Sequence, residues 1–503
     1  MASTMMSTRF IMSSSSATPR TPTSPIPPPT VLPLKPIPGT YGLPLLGPLR
    51  DRLDYFWFQG VDTFFRQRAT THKSTVFRTN IPPTFPFFVG INPEVVALVD
   101  CASFASLFDS SLVDKTDVLI GPYTPSLSFT GGTRVCVYLD VTDPKHTKVK
   151  SFCMDLLKRS SKVWESEFLN ALDTMWTTIE GDLEKDSGKG GAGFIVPLQR
   201  CIFRFLCKAL AGADPEKVKE INEYGFAMLD KWLAVQLLPT TGTGVIPQPL
   251  EEIFLHSFPL PFLLVKNDYS KLYEFLRTQG KDVVDNAVSE YGLSTDEAIN
   301  NILFVLGFNA FGGFSVFFPK LITTIGSDET GLQEKLREEV RRVVGTDGVL
   351  DLKKVREMEL VTSTVRELLR LNPPVPLQYG RARRDFTLSS HEASFKVKRG
   401  ELLCGYQPLA MRDAKVFEDP DRFVPDRFVE AKGGRELLEY LYWSNGRETG
   451  TPSVENKQCA AKDYVVGTAC LFVAYLFTRY DGFRCEPSSF SISAVEKARD
   501  GKD

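Results

Sequence analysis

Apolar residues recur every three to four positions through most of this chain, and the helical period is clearest in its second half. Glu334-Lys-Leu-Arg-Glu-Glu-Val-Arg-Arg-Val343 and Val361-Thr-Ser-Thr-Val-Arg-Glu-Leu-Leu-Arg370 gather apolar side chains on one face and charge on the other, which predicts amphipathic helices. Ala298 to Phe318 carries no charge and is about the length of a membrane span. Ser294-Thr-Asp-Glu297 forms a capping box in front of it, and Asn300, Asn301, Asn309 and the Gly312-Gly313 pair are poor choices against lipid. The pattern therefore predicts a buried helix through the core, with Asn309 as a polar group near its middle, and no transmembrane helix. A shorter apolar run from about Ala460 to Phe477, broken by Gly467 and Thr468, predicts a second core helix. β-like runs are few and short: Ser74-Thr-Val-Phe-Arg78, Pro86-Phe-Phe-Val-Gly90 and Ala393-Ser-Phe-Lys-Val397. A mainly α protein with a small β-sheet region follows, without internal repeats.

Composition changes this picture only at the ends. The first fifty residues contain no Asp or Glu, are rich in Ser and Thr, and turn Pro-rich through Pro25-Ile-Pro-Pro-Pro29. Residues 1–35 are expected to be a disordered segment with the composition of a plastid or mitochondrial transit peptide, with the chloroplast as the expected destination. One domain should fill 36–490, with 491–503 as a flexible tail. Asp186-Ser-Gly-Lys-Gly-Gly-Ala192 reads as a surface loop. The formal charge of −2 and the lack of a basic block argue against nucleic acid as a partner. Nine scattered cysteines without CxxC pairs exclude a disulfide framework or zinc module, and four histidines without HxxxH spacing exclude a His-built metal site.

The chemistry concentrates late in the chain. Cys459 ends a polar loop, Trp443-Ser-Asn-Gly-Arg-Glu-Thr-Gly-Thr-Pro-Ser-Val-Glu-Asn-Lys-Gln-Cys459, just before the second core helix. Free N–H donors at a helix N-terminus, with Lys457 and Lys462 nearby, would lower the thiol pKa and suit a nucleophile or an axial ligand; a buried structural cysteine is the alternative. Glu367-x-x-Arg370 stands before Leu-Asn-Pro-Pro-Val-Pro376, and Phe423-Val-Pro-Asp-Arg427-Phe428 can bring a second arginine to a buried carboxylate. Glu334/Arg337, Glu338/Arg341 and Glu339/Arg342 share the ExxR spacing and are expected to be solvated i,i+3 pairs.

Together, Glu367-x-x-Arg370, Phe423-x-Pro425-x-Arg427-Phe428, the late cysteine and Pro38-Gly-Thr-Tyr-Gly-Leu-Pro-Leu-Leu-Gly47 resemble the cytochrome P450 superfamily over roughly residues 36 to 485. The resemblance implies a P450 fold, haem b with Cys459 as its axial thiolate and iron ligand, and Glu367, Arg370 and Arg427 as a structural triad. Two departures narrow it. The cysteine loop is longer than in an ordinary P450 and Ala461 stands where the family carries glycine; the long helix reads Gly307-Phe-Asn-Ala-Phe-Gly-Gly313 where a monooxygenase has an acid followed by threonine. Without that acid–alcohol pair a proton relay for oxygen activation lacks its parts.

Both departures resemble the plant-type branch of fatty-acid hydroperoxide-metabolising P450s, its hydroperoxide lyases, allene oxide synthases and divinyl ether synthases. That resemblance implies homolysis of a substrate O–O bond at haem, without O₂ or a reductase, on a C18 polyunsaturated hydroperoxide. It places Asn309 against the hydroperoxide and Lys115, His146, Lys150 and Lys457 around the haem propionates. Leu119 stands where allene oxide synthases typically carry phenylalanine, and it points to the lyase, which yields a short aldehyde and an oxo-acid. Allene oxide or divinyl ether synthase is the alternative. A conventional monooxygenase and a non-catalytic haem sensor are more distant ones. Whether Phe254-Leu-His-Ser-Phe-Pro-Leu-Pro-Phe-Leu-Leu-Val265 is a peripheral membrane contact or a packed loop stays open at this level.

Overall fold

The computed structural model describes residues 32–84, 88, 90–186, 191–346 and 348–498. Helices dominate. The long helix runs Thr295–Gly326 and begins at the expected capping box, in which Ser294 Oγ accepts the Glu297 N–H and the Glu297 carboxylate accepts the Ser294 N–H. Among the described residues it is the one helix long and apolar enough to cross a membrane, yet it lies in the core. Phe314, Phe317 and Phe318 are buried, and Phe318 stacks on Phe472 at 5.2 Å between ring centroids. Phe472 belongs to Lys462–Arg479, the second predicted core helix, displaced by two residues from its expected ends. At Gly307 the long helix meets Leu229 and Trp232 so closely that a Cβ would lie 2.8 Å from each, so this position requires glycine.

A five-stranded mixed sheet sits to one side of the helices, in the order Val76–Asn80, Glu94–Leu98, Leu402–Tyr406, Leu377–Ala382, Val113–Asp114. The first pair is antiparallel and the second parallel, with Val96 opposite Leu403. Ser394–Val397 pairs with Phe386–Ser389 and, in parallel, with Leu34–Lys35. The ordered chain thus includes residues just ahead of the expected start at 36.

Two of the expected boundaries, 36 and 490, need correction. The β-like run Pro86–Gly90 falls mostly outside the described residues, and the strand that pairs with Val76–Asn80 is Glu94–Leu98. Ser491–Lys497, expected within the flexible tail, is a strand paired with Tyr480–Glu486 and, at Ser491 and Ile492, with Ala192–Gly193. Ile492 is fully buried there, and its apolar side chain supplies the reason for order. Residues 1–31, 187–190 and 499–503 lie outside the described residues.

Candidate active site

Glu367 and Arg370 lie on helix Glu359–Leu371 and are fully buried. Arg370 Nε and Nη2 donate to the two Glu367 carboxylate oxygens at 2.7 and 2.8 Å, and Arg427 Nε reaches the same carboxylate at 3.0 Å. The Val424 N–H adds a fourth bond at 3.0 Å. Both guanidiniums then spend their remaining donors on carbonyls of one segment: Arg370 on Met411 and Pro420, Arg427 on Glu418 and Asp419. One carboxylate and two cations thereby pin residues 411–427 to the helix. The other ExxR pairs behave differently. Glu334 and Arg337 are 3.9 Å apart at the surface, as expected of a solvated pair. Arg341 instead binds Asp481, and Glu339 accepts the N–H groups of Leu360 and Val361, capping the triad helix, because these partners offer better geometry than an i,i+3 neighbour.

The loop that ends at Cys459 is a built structure. Tyr442–Trp443 and Gly446–Arg447 form a tight hairpin through Asn445, whose φ of 58° is left-handed. Gln458 lies against it, its Nε2 donating to Arg447 O at 2.6 Å, and a Cβ on Gly446 would meet the Gln458 side chain at 2.4 Å. The Cys459 N–H donates to Ser444 O at 3.0 Å. Helix Lys462–Arg479 starts three residues after the sulfur, so its N–H array is less directly engaged than expected. Burial raises the free thiol above its ordinary value; the Ala461 N–H and the charges of Lys150 and Lys462 oppose this. Lys457, expected beside the sulfur, instead donates to Cys136 O and Leu139 O at 2.9 and 2.6 Å.

The four side chains expected around the propionates do come together, three of them lysines and His146 held neutral. His146 and Lys150 share one buried face of helix Pro144–Ser160, and Lys150 Nζ donates to Gln458 O at 2.6 Å, next to the cysteine. Lys115 is buried with its ammonium on Tyr379 O at 2.6 Å. Burial, and then the charge of Lys457, lower Lys115 to about 7; burial lowers Lys457 to about 8. Burial together with Lys457 and Lys150 lowers His146 to about 4. Neither ring nitrogen of His146 has a hydrogen-bond partner, nor has the buried Tyr138 hydroxyl. Clustered buried cations and orphaned donors are what a dianionic group would satisfy. Lys115, Lys457 and Leu119 line one cavity with Val375, Leu377 and Gln378, which sets the apolar Leu119 beside the cationic end.

Asn309 lies within Val305–Phe311, a π-wound segment of the long helix. Such segments widen a helix and are frequent at functional sites. Asn300 and Asn301 are buried and satisfied, by Thr133 and Tyr269 and by Cys136 and Glu297 respectively. Asn309, by contrast, is exposed and its amide has no partner among the described residues. It is therefore not a satisfied core asparagine. Two neighbours escaped the sequence reading. Tyr138 carries no motif, and the Cys136 thiol is pulled down by a hydrogen bond from the Cys153 thiol and by Lys457 and Lys150, a pairing that spacing does not announce.

A thiol delivered by a constructed loop, a buried Glu–Arg–Arg cluster, a cluster of buried cations and a long core helix with a π-wound segment define a cytochrome P450. Comparison agrees. The family model described as Cytochrome P450 matches residues 328–448, and it ends within the extended loop, ahead of Cys459. The haem domain of a cytochrome P450DA mutant superimposes with a TM-score of 0.65 over 93% of this chain and 98% of that one, at 15% identity, a likeness of fold alone. The chain is 59% identical over 94% of its length to linolenate hydroperoxide lyase of Arabidopsis thaliana, 95% of which is covered. It is 53% identical over 94% to fatty acid hydroperoxide lyase of Solanum lycopersicum, covering 98% of it. Allene oxide synthase of Linum usitatissimum matches at 45% over 92%, with 85% of it covered. This chain belongs to the hydroperoxide lyase and allene oxide synthase branch of the cytochrome P450 family. Membership implies haem, and the cations and orphaned donors fit its propionates.

Proposed function

We propose that the protein is a fatty-acid hydroperoxide lyase of the plastid, acting on the 13-hydroperoxide of a C18 polyunsaturated acid. The observation that carries this reading is Asn309: a free amide on a widened turn, with no acid–threonine pair around it. Its NH₂ can donate to a peroxide oxygen while its carbonyl accepts the hydroperoxide O–H, so the substrate is oriented without a proton being delivered. The substrate brings its own O–O bond, and no reductase is needed. Haem b held by the Cys459 thiolate would supply the homolytic cleavage of that bond. Lys115, His146, Lys150 and Lys457 would hold its propionates, and Glu367, Arg370 and Arg427 would keep the proximal segment in place.

Leu119 supports the lyase over an allene oxide synthase. An aliphatic side chain beside the carbon radical offers no aromatic face to stabilise it toward loss of an electron and a proton, the route to an allene oxide, which leaves cleavage to an aldehyde and an oxo-acid. The higher identity to two lyases than to a synthase points the same way. Plastid residence rests on relatives named chloroplastic and on the acid-free start of the chain. Peripheral membrane contact has a surface to use. Phe56 stacks on His256 at 3.7 Å, which joins two segments that expose Trp57, Phe58, Ile253 and Phe254.

The test is incubation of the purified holoprotein with 13-hydroperoxides, without reductant, and identification of products by mass spectrometry. A C6 aldehyde with its C12 oxo-acid is expected, and Asn309→Ala should lower kcat by about a hundredfold, the loss seen when one preorganised donor is removed. Hydroperoxide consumption that requires NADPH and a reductase, or yields no aldehyde, refutes the reading.

A further inference from the structure

The long helix does more than present Asn309. Asn309, Gly313, Val316 and Lys320 fall at positions i, i+4, i+7 and i+11, one stripe of a helix. The stripe is open: Asn309 and Lys320 are exposed, Val316 is 54% exposed, and a Cβ on Gly313 would meet nothing within 4 Å. Its far end reaches a groove lined by Val316, Lys320, Pro373, Tyr406, Arg66 and Arg412 among others. Pro373 faces this groove, while Val375 and Leu377, two and four residues on, line the inner cavity with Leu119. The same short segment therefore borders both.

The groove carries one unused positive charge. Its two carboxylates, Asp62 and Asp421, are both taken by Arg66 at 2.6 and 3.0 Å, with Arg412 within 4 Å of each. Arg412 also donates to Leu371 O at 2.7 Å. The Lys320 ammonium has no partner among the described residues. Three cations against two carboxylates leave room for one anion.

We propose that Lys320 is a specificity-determining residue that binds the carboxylate of the fatty-acid substrate, with the stripe from Asn309 to Lys320 as its ruler. This rests on the lyase reading above. Eleven residues at a rise of about 1.5 Å separate the two positions along the helix axis by about 16 Å. An extended chain with carbon–carbon bonds of about 1.5 Å advances roughly 1.25 Å per bond, so the twelve bonds from C1 to C13 span about 15 Å and the eight from C1 to C9 only about 10 Å. A hydroperoxide at C13 places its O–O bond at Asn309 when its carboxylate is at Lys320; one at C9 does not.

Steady-state kinetics of the holoenzyme, with the free acid and the methyl ester of the 13-hydroperoxide, separate this from a structural role. Lys320→Ala should raise KM for the acid about tenfold at unchanged kcat, Lys320→Glu should raise it further, and Lys320→Arg should restore it. KM for the ester should not move. The unreactive 13-hydroxy acid, titrated against the haem absorption band, should show the same rise in Kd, and the wild type should prefer the 13- over the 9-hydroperoxide by tenfold or more. Equal effects on acid and ester, an unchanged KM for the acid, or equal use of both regioisomers overturns the proposal. Failure of the lyase reading shows separately, as absence of aldehyde from the wild type, and the hydroxy-acid titration still decides the role of Lys320.

Discussion

Replacing Lys115 by methionine should stabilise the haem-free protein and weaken its hold on haem. Lys115 is 6% exposed, and burial with the charge of Lys457 lowers its pKa from 10.5 to about 7. The unfolded chain therefore binds this proton more tightly than the folded one. Between pH 7 and 10.5 the unfolded state carries more protons, so stability rises with pH across that window, and the full penalty is present below pH 7. At about 1.36 kcal/mol per pH unit the penalty is about 5 kcal/mol. Methionine removes it but also removes the bond to Tyr379 O, which as a charged hydrogen bond is worth about 1.5–3 kcal/mol. A net gain of about 2–3 kcal/mol remains at pH 6, and it should fade toward pH 10. With haem bound the sign reverses, because a propionate loses its buried cation; loss of about 1.4 kcal/mol would speed haem transfer tenfold. Urea midpoints of the haem-free proteins at pH 6 and pH 9.5 test the first half, and haem transfer to apomyoglobin tests the second. A haem-free variant less stable than wild type at pH 6, or one that releases haem no faster, would refute the reasoning.

Cys459→Ser should keep the fold but abolish the shifted absorption band of the ferrous–carbonyl form that marks thiolate ligation; a retained band would assign the thiolate elsewhere. Glu367→Gln leaves two buried guanidiniums against a neutral amide and should cost about 3–5 kcal/mol, read as a lower urea midpoint and a lower yield of holoprotein. An unchanged midpoint would mean that the carbonyls of residues 411–420 suffice for both arginines. Leu119→Phe should divert product from aldehyde toward the hydrolysis products of an allene oxide, quantified by mass spectrometry at equal hydroperoxide consumption. An unaltered product ratio would remove Leu119 from the choice of pathway.

How much of this was legible in the chain depends on the range of the forces involved. The capping box at Ser294, the charge-free run behind it and the proline brake after Arg370 are local signals, and the structure places all three as the pattern predicts. The partners of Arg341 and Glu339 were not legible, because the spacing that proposes an i,i+3 pair is silent about Asp481 or the N-terminus of the next helix, which compete for the same charges. The same limit applied to Cys459. Position before a helix predicted a lowered pKa, but burial is set by how the whole molecule closes over the thiol, and it acts in the opposite direction. Asn309 shows the converse. Three asparagines in one apolar helix look alike in sequence, and only packing separates Asn300 and Asn301, whose amides bind neighbouring elements, from Asn309, whose amide is left free on a π-wound turn. An amide without a protein partner, exposed on a π-wound turn, stands open to a ligand in a way that its two buried neighbours do not.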